Sequence, residues 1–252
     1  MNSTFEKNLI KVPGVTLAFW VIKIAATTLG ETAGDAVSMS MNLGYLVGTA
    51  IFATMFLISV LVQIKASRFH PVIYWTTIIA TTTVGTTMAD FADRSLGIGY
   101  AGGSSLLFIL LLASLAIWYR TLGSISVNTV TNPKAEIFYW ITIMFSQTLG
   151  TALGDWTSDS AGIGYSGSTA LFGSLLVAIA ALYFWTKVSR TFLFWAAFIL
   201  TRPLGAVVGD FLDKPVGQGG LALSRYLASA ALLIFMVVFI FIFPQRPAKT
   251  AH

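Results

Sequence analysis

The 252-residue sequence contains no cysteine and only two histidines. Without thiols there is neither a disulfide framework nor thiolate chemistry. His70 falls in a connection and His252 is the last residue, so no imidazole metal site or histidine base is expected inside the body of the protein. Charge is scarce as well. Only 10% of residues are charged, against roughly 25% in a soluble domain. No nucleophile–base pair and no lysine-bearing phosphate loop can be found, which argues against an enzyme and against an organic cofactor. The net charge of +5 would suggest nucleic acid in a soluble protein, but here the basic residues sit at the ends of apolar segments, so no nucleic-acid partner is expected.

Apolar residues fill this space, at 56% of the chain. They come in long runs, at 45–61, 105–119, 170–185 and 221–243. Runs of about 17–25 apolar residues match the ~30 Å hydrocarbon core of a bilayer. No water is available there to satisfy open backbone groups, so such segments must be helical. The lipid bilayer is therefore the first expected partner. The N-terminal stretch MNSTFEKNLIKVPG carries charge and no cleavage signature, and reads as a cytoplasmic lead-in.

Four segments align without a gap: FWVIKIAATTLGETAGD from Phe19, YWTTIIATTTVGTTMAD from Tyr74, YWITIMFSQTLGTALGD from Tyr139 and FWAAFILTRPLGAVVGD from Phe194. Each holds an aromatic residue before Trp20, Trp75, Trp140 or Trp195, then Gly30, Gly85, Gly150 or Gly205, and finally Asp35, Asp90, Asp155 or Asp210. The tryptophan spacings are 55, 65 and 55 residues, so copies one and two form one half and copies three and four a second. Glycine-rich turns follow each aspartate, which suggests a helix, a turn and a return helix in every copy. The expected fold is an all-α integral membrane domain of eight transmembrane helices. These would be four tandem hairpins at about 14–69, 70–124, 134–190 and 191–243, in parallel orientation and pseudo-symmetric about the membrane normal. Ten basic residues, from Lys7 to Lys249, fall at the end where the chain termini lie. Three, Arg94, Lys214 and Arg225, fall at the turn end. The positive-inside rule then puts both termini in the cytoplasm.

The aromatic-Trp … Leu-Gly-x-x-x-Gly-Asp unit in four copies resembles a family of bacterial membrane proteins defined by a two-span repeat of unknown function. The resemblance covers about residues 13–243 and implies a bacterial inner-membrane location; it carries no mechanism. Separately, Glu31-x-x-Gly34-Asp35 is similar to the acidic Glu-x-Gly-Asp signature of membrane cation/proton exchangers, which implies carboxylate chemistry.

At 100° per residue, Lys23, Thr27, Gly30, Glu31, Gly34, Asp35 and Trp20 share under half the circumference of the first helix. The same face carries Thr82, Gln147 and Arg202 at the Thr27 position of later copies. The glycine pairs suit close helix packing. The tryptophans are candidates for interface anchors or for a gate that closes one end. Arg202 lies too deep to snorkel and is expected to pair with Glu31. The four aspartates allow two readings: caps of the glycine-rich turns, or a carboxylate ring for a hard cation. Asp35, Asp90, Asp155, Asp210 and Glu31 are thus the ion-binding candidates, with Thr27, Thr82, Gln147, Lys23 and Arg202 as a polar pathway. The function expected is transport of a small cation, either a divalent metal or one coupled to protons. Alternatives are a membrane scaffold or regulator, and a carrier of anions or organic solutes using Lys23 and Arg202. Oligomeric state is left open.

Overall fold

A computed structural model describes residues 10–248. Lys7, Lys249, His252 and most of the N-terminal lead-in lie outside the described residues. Among the described residues there are eight long helices and no strand, only an isolated backbone bridge between Pro13 and Pro247. The helices are α1 (Leu17–Asp35), α2 (Gly44–Lys65), α3 (Pro71–Asp90), α4 (Tyr100–Leu122), α5 (Pro133–Asp155), α6 (Gly164–Trp185), α7 (Arg190–Asp213) and α8 (Arg225–Ile242).

The odd-numbered helices start on clear signals. Thr16, Asn132 and Ser189 accept from backbone N–H groups of the first turns of α1, α5 and α7, and Pro71 and Pro133 occupy first-turn positions where no donor is needed. Their far ends are less ordinary. Immediately after Asp35, Asp90 and Asp155 the helix widens into a single π-helical turn, at Ala36–Ser40, Phe91–Ser95 and Trp156–Ser160. Such turns concentrate at functional sites. The fourth copy lacks one, and α7 runs on as α-helix to Asp213. Gly44, Gly97 and Gly162, with φ near +70°, then reverse the chain.

The four odd-numbered helices form a closed ring in which α1 packs on α3, α3 on α5, α5 on α7, and α7 back on α1. The even-numbered helices lie outside it. The main partner of each outer helix is the inner helix of the following copy: α2 lies on α3, α4 on α5, α6 on α7, and α8 on α1. The π turn and glycine loop carry the chain sideways around the ring before it returns.

Glycine sets the spacing of the ring. A Cβ on Gly30 would collide with Thr82, one on Gly150 with Arg202 and one on Gly205 with Thr27, while one on Gly85 would press tightly on Gln147. The same contact thus recurs at all four seams. One turn on, Gly34 faces Thr86, Gly154 faces Ala206 and Gly209 faces Glu31. Close backbone approach through small residues is the usual way helices associate where the surrounding medium is itself apolar. Two seams add a hydroxyl contact: Thr82 Oγ1 lies 3.2 Å from the Ala26 carbonyl, and Thr27 Oγ1 lies 3.0 Å from the Thr201 carbonyl.

Five helices, α2, α4, α6, α7 and α8, are long and apolar enough to cross a bilayer. The four outer helices among them bury little of themselves. Leu57, Ile109, Val177, Phe184, Leu227 and Phe241 are all exposed, a surface far larger and more apolar than water tolerates and one suited to lipid. The remaining inner helices α1, α3 and α5 carry threonine, glycine and charge and are enclosed by their neighbours.

Candidate functional site

Residues four apart on the inner helices stack one turn above another. The ring therefore presents the same repeat position from all four copies as a layer, and five layers follow one another from the end near the chain termini to the turn end.

The first layer is aromatic. Phe19 packs on Trp75 (ring centroids 5.5 Å apart), Tyr74 on Trp140 (5.8 Å), Tyr139 on Trp195 (6.3 Å) and Phe194 on Trp20 (5.8 Å). Each copy thus hands its first aromatic to the tryptophan of the next. Tyr74 and Tyr139 share a 2.7 Å hydrogen bond between their hydroxyls, and Trp195 Nε1 donates to the Ile125 carbonyl at 2.9 Å. Trp75, Trp140 and Trp195 are buried. Trp20 is half-buried.

The second layer holds Lys23, Ile78, Ile143 and Phe198, all inaccessible to solvent. Lys23 Nζ lies 4.2 Å from the centre of the Phe198 ring and makes no hydrogen bond. The third layer holds Thr27, Thr82, Gln147 and Arg202, again inaccessible. The fourth holds Glu31, Thr86, Thr151 and Ala206. Arg202 reaches up into it: Nη2 donates to Glu31 Oε2 at 2.9 Å, lies 2.6 Å from Thr86 Oγ1, and also contacts Thr151 Oγ1. Three of the four copies therefore meet one guanidinium nitrogen. Pro203 follows inside α7.

The fifth layer is the aspartate ring, with Asp35, Asp90, Asp155 and Asp210 all nearly inaccessible. Asp35, Asp90 and Asp155, which lead directly into the π turns, make no capping hydrogen bond to them. Two cations bridge the ring instead. Arg94 meets Asp90 at 3.0 Å and Asp155 at 3.4 Å; Lys214 meets Asp35 at 2.8 Å and Asp210 at 2.9 Å. Each bridge joins the aspartate one turn back on its own copy to that of the next copy. Above them Arg225 holds Asp213 at 2.8 Å and reaches Asp35 at 3.7 Å. Burial alone would lower the Lys214 ammonium, but Asp210, Asp35 and Asp213 outweigh it and hold it well above its ordinary pKa. Asp90 and Asp155 do the same against burial for Arg94.

The layers nearest the turns also approach one another. Carboxylate oxygens of Glu31, Asp155 and Asp210 lie within 4.8 Å of each other, as do those of Asp35, Asp210 and Asp213. Hard cations take oxygen ligands of this kind at short distances. Sequence reasoning found the five carboxylates and the Arg202–Glu31 pair but missed the bridging role of Arg94 and Lys214. The available signal was their spacing, four residues after Asp90 and Asp210, on the same helix face.

A family model described as Repeat of Unknown Function (DUF347) matches four times in tandem, at residues 18–69, 73–124, 138–189 and 193–246. No curated protein and no solved structure matches the chain.

Proposed function

We propose, from the premise that this chain belongs to the DUF347 repeat family, that its four copies form a membrane carrier for a small cation, with the buried aspartate layer as the binding site. One observation carries the reading: among the described residues six buried carboxylates, Glu31, Asp35, Asp90, Asp155, Asp210 and Asp213, meet four basic groups, Arg202, Arg94, Lys214 and Arg225. The uncompensated negative charge is expensive in a low-dielectric interior. Protons or a divalent cation relieve it equally well, and exchange between the two is the natural chemistry of crowded carboxylates.

In this reading all eight helices span the bilayer, α1, α3 and α5 being tolerated because the outer helices and α7 shield them. Both termini face the cytoplasm, by the excess of basic residues at that end. The aspartate layer opens outward, the aromatic layer closes the cytoplasmic end, and Arg202 with Glu31 blocks the axis between them. The protein then works as a carrier, since an ion can pass only when the central pair parts.

The bridges formed by Arg94 and Lys214 favour a second reading, a membrane scaffold whose charges lock four helices together. Flux distinguishes the two. Full-length protein in proteoliposomes, tested against a panel of monovalent and divalent cations with and without a pH gradient, is expected to move at least one cation. Asp90→Asn and Asp155→Asn are expected to lower that flux at least tenfold in folded protein. No flux across the panel, or full flux in all four single Asp→Asn variants, leaves the scaffold.

A further inference from the structure

The second and third layers contain a different deficit from the aspartate ring. Lys23 Nζ, both side-chain atoms of Gln147, and Arg202 Nε and Nη1 are buried and have no hydrogen-bond partner. All three residues are wholly inaccessible. They belong to α1, α5 and α7, and α7 stands between the other two in the ring. Phe198, whose ring lies 4.2 Å from Lys23 Nζ, is one turn before Arg202 on α7, so the Lys23 amine lies at the height of the α7 turn that precedes Arg202.

Nearly all of these unmet atoms are donors, and what they lack is an acceptor. The hydroxyls of the layer do not supply it: Thr27 and Thr82 are turned to the Thr201 and Ala26 carbonyls of the helix seams. Glu31 does not supply it either, because it engages Arg202 through Nη2 from the layer above. Glu31 pairs with Arg202, and among the described residues no carboxylate pairs with Lys23. Buried donors left unmet are rare in folded proteins, and a buried charge without a partner is rarer.

We propose that Lys23, Gln147 and Arg202 form a site for a small monovalent anion of halide type, held on the ring axis between the aromatic layer and the Arg202–Glu31 pair. The ammonium and guanidinium supply the charge and the Gln147 amide supplies a neutral donor. Ile78, Ile143 and Phe198 make the remaining wall apolar, which suits a weakly hydrated monovalent ion and excludes sulfate or phosphate. The axis then carries an anion site in one half and a cation site in the other. The anion site does not depend on whether the aspartate layer transports anything.

The test uses the purified full chain and needs no transport. Thermal unfolding is measured in sodium chloride and in sodium gluconate at equal ionic strength. Chloride at about 100 times its dissociation constant is expected to raise Tm by roughly 5 °C or more, because an ion that binds only the folded state stabilises it by mass action. Lys23→Met is expected to abolish the difference between the two salts, and Gln147→Leu to reduce it. Crystals grown in bromide locate the ion directly, with an anomalous peak expected between Lys23 and Arg202. Equal Tm in both salts overturns the proposal. So does an unchanged chloride response in Lys23→Met, or a bromide map with water alone at that place. The native comparison and the bromide map remain decisive if the variants fail to fold.

Discussion

Substituting Gly30 by alanine probes how the inner ring is closed. The added Cβ would overlap Thr82 Oγ1, stand 2.5 Å from Thr82 Cβ, and lie 3.0 Å from the Thr82 carbonyl carbon. Ordinary contacts begin near 3.4 Å, so the Thr82 side chain must recede by about 1 Å and the α3 backbone by about 0.4 Å. A rotamer change can move the hydroxyl, but nothing short of helix separation moves the other two atoms. Separation at one seam propagates, because the ring returns to α1 through α7. Overpacking costs about 1–3 kcal/mol and occasionally more; an obstacle that includes backbone belongs at the upper end. At about 2–4 °C per kcal/mol for a chain of this size, Gly30→Ala should lower Tm by on the order of 6–12 °C in detergent. The companion variants are diagnostic. Adding Thr82→Ala removes the hydroxyl but leaves the Cβ, so it should restore little, whereas adding Thr82→Gly should restore more, though not all, because the Thr82 carbonyl carbon stays at 3.0 Å and glycine costs about 1 kcal/mol in a helix interior. Gly173, on outer helix α6, has open space where a Cβ would point, and Gly173→Ala should be neutral or slightly stabilising. Native-like Tm in Gly30→Ala, or equal rescue by Thr82→Ala and Thr82→Gly, would refute the account of the seam.

Two further outcomes follow from the charged layers. Arg202→Met leaves Glu31 buried with only Thr86 within hydrogen-bonding distance, 3.3 Å away, and should cost about 3–5 kcal/mol, while the double variant Arg202→Met/Glu31→Met should lose less than that single change; strictly additive losses in denaturation experiments would show that the pair is not coupled. Lys214, with its raised pKa, contributes stability that is fully present below the ordinary lysine value of about 10.4 and is lost only as pH climbs through the higher folded value. The Tm gap between native protein and Lys214→Met should therefore not narrow from pH 7 to 10, and a gap that closes by pH 9 would contradict the bridging geometry.

The layers were legible in the sequence because one register repeats four times. A helix periodicity of 3.6 puts Lys23, Thr27, Glu31 and Asp35 on one face, and four ungapped copies bring the matching residues to the same heights. The pairing of Arg202 with Glu31 followed from depth alone, since neither is tolerated in hydrocarbon without a partner. Two features could not be read this way. The position of α2 against α3, and not against α1, depends on the direction the Ala36–Ser40 turn gives the chain, and a glycine-rich loop permits either course. The bridging by Arg94 and Lys214 depends on which helices adjoin around the ring, and one helix projection contains no information about its neighbour. The neighbours of the tryptophans were hidden for the same reason: the aromatic residue of the preceding copy covers Trp75 and Trp140, a contact no single helix projection contains.

The handover of each outer helix to the following inner helix makes the order of the copies cyclic. The α8–α1 contact joins the last copy to the first in the same way as the three made along the chain join each copy to the next. The segments flanking the bundle are already fastened together, with Gly14 N–H donating to the Arg246 carbonyl and Ala248 N–H to the Val12 carbonyl, each at 2.8 Å. The molecule is therefore a candidate for circular permutation. Joining the segments beyond Pro13 and Pro247 and opening the longer link between α4 and α5 would give a polypeptide of different connectivity with the same ring.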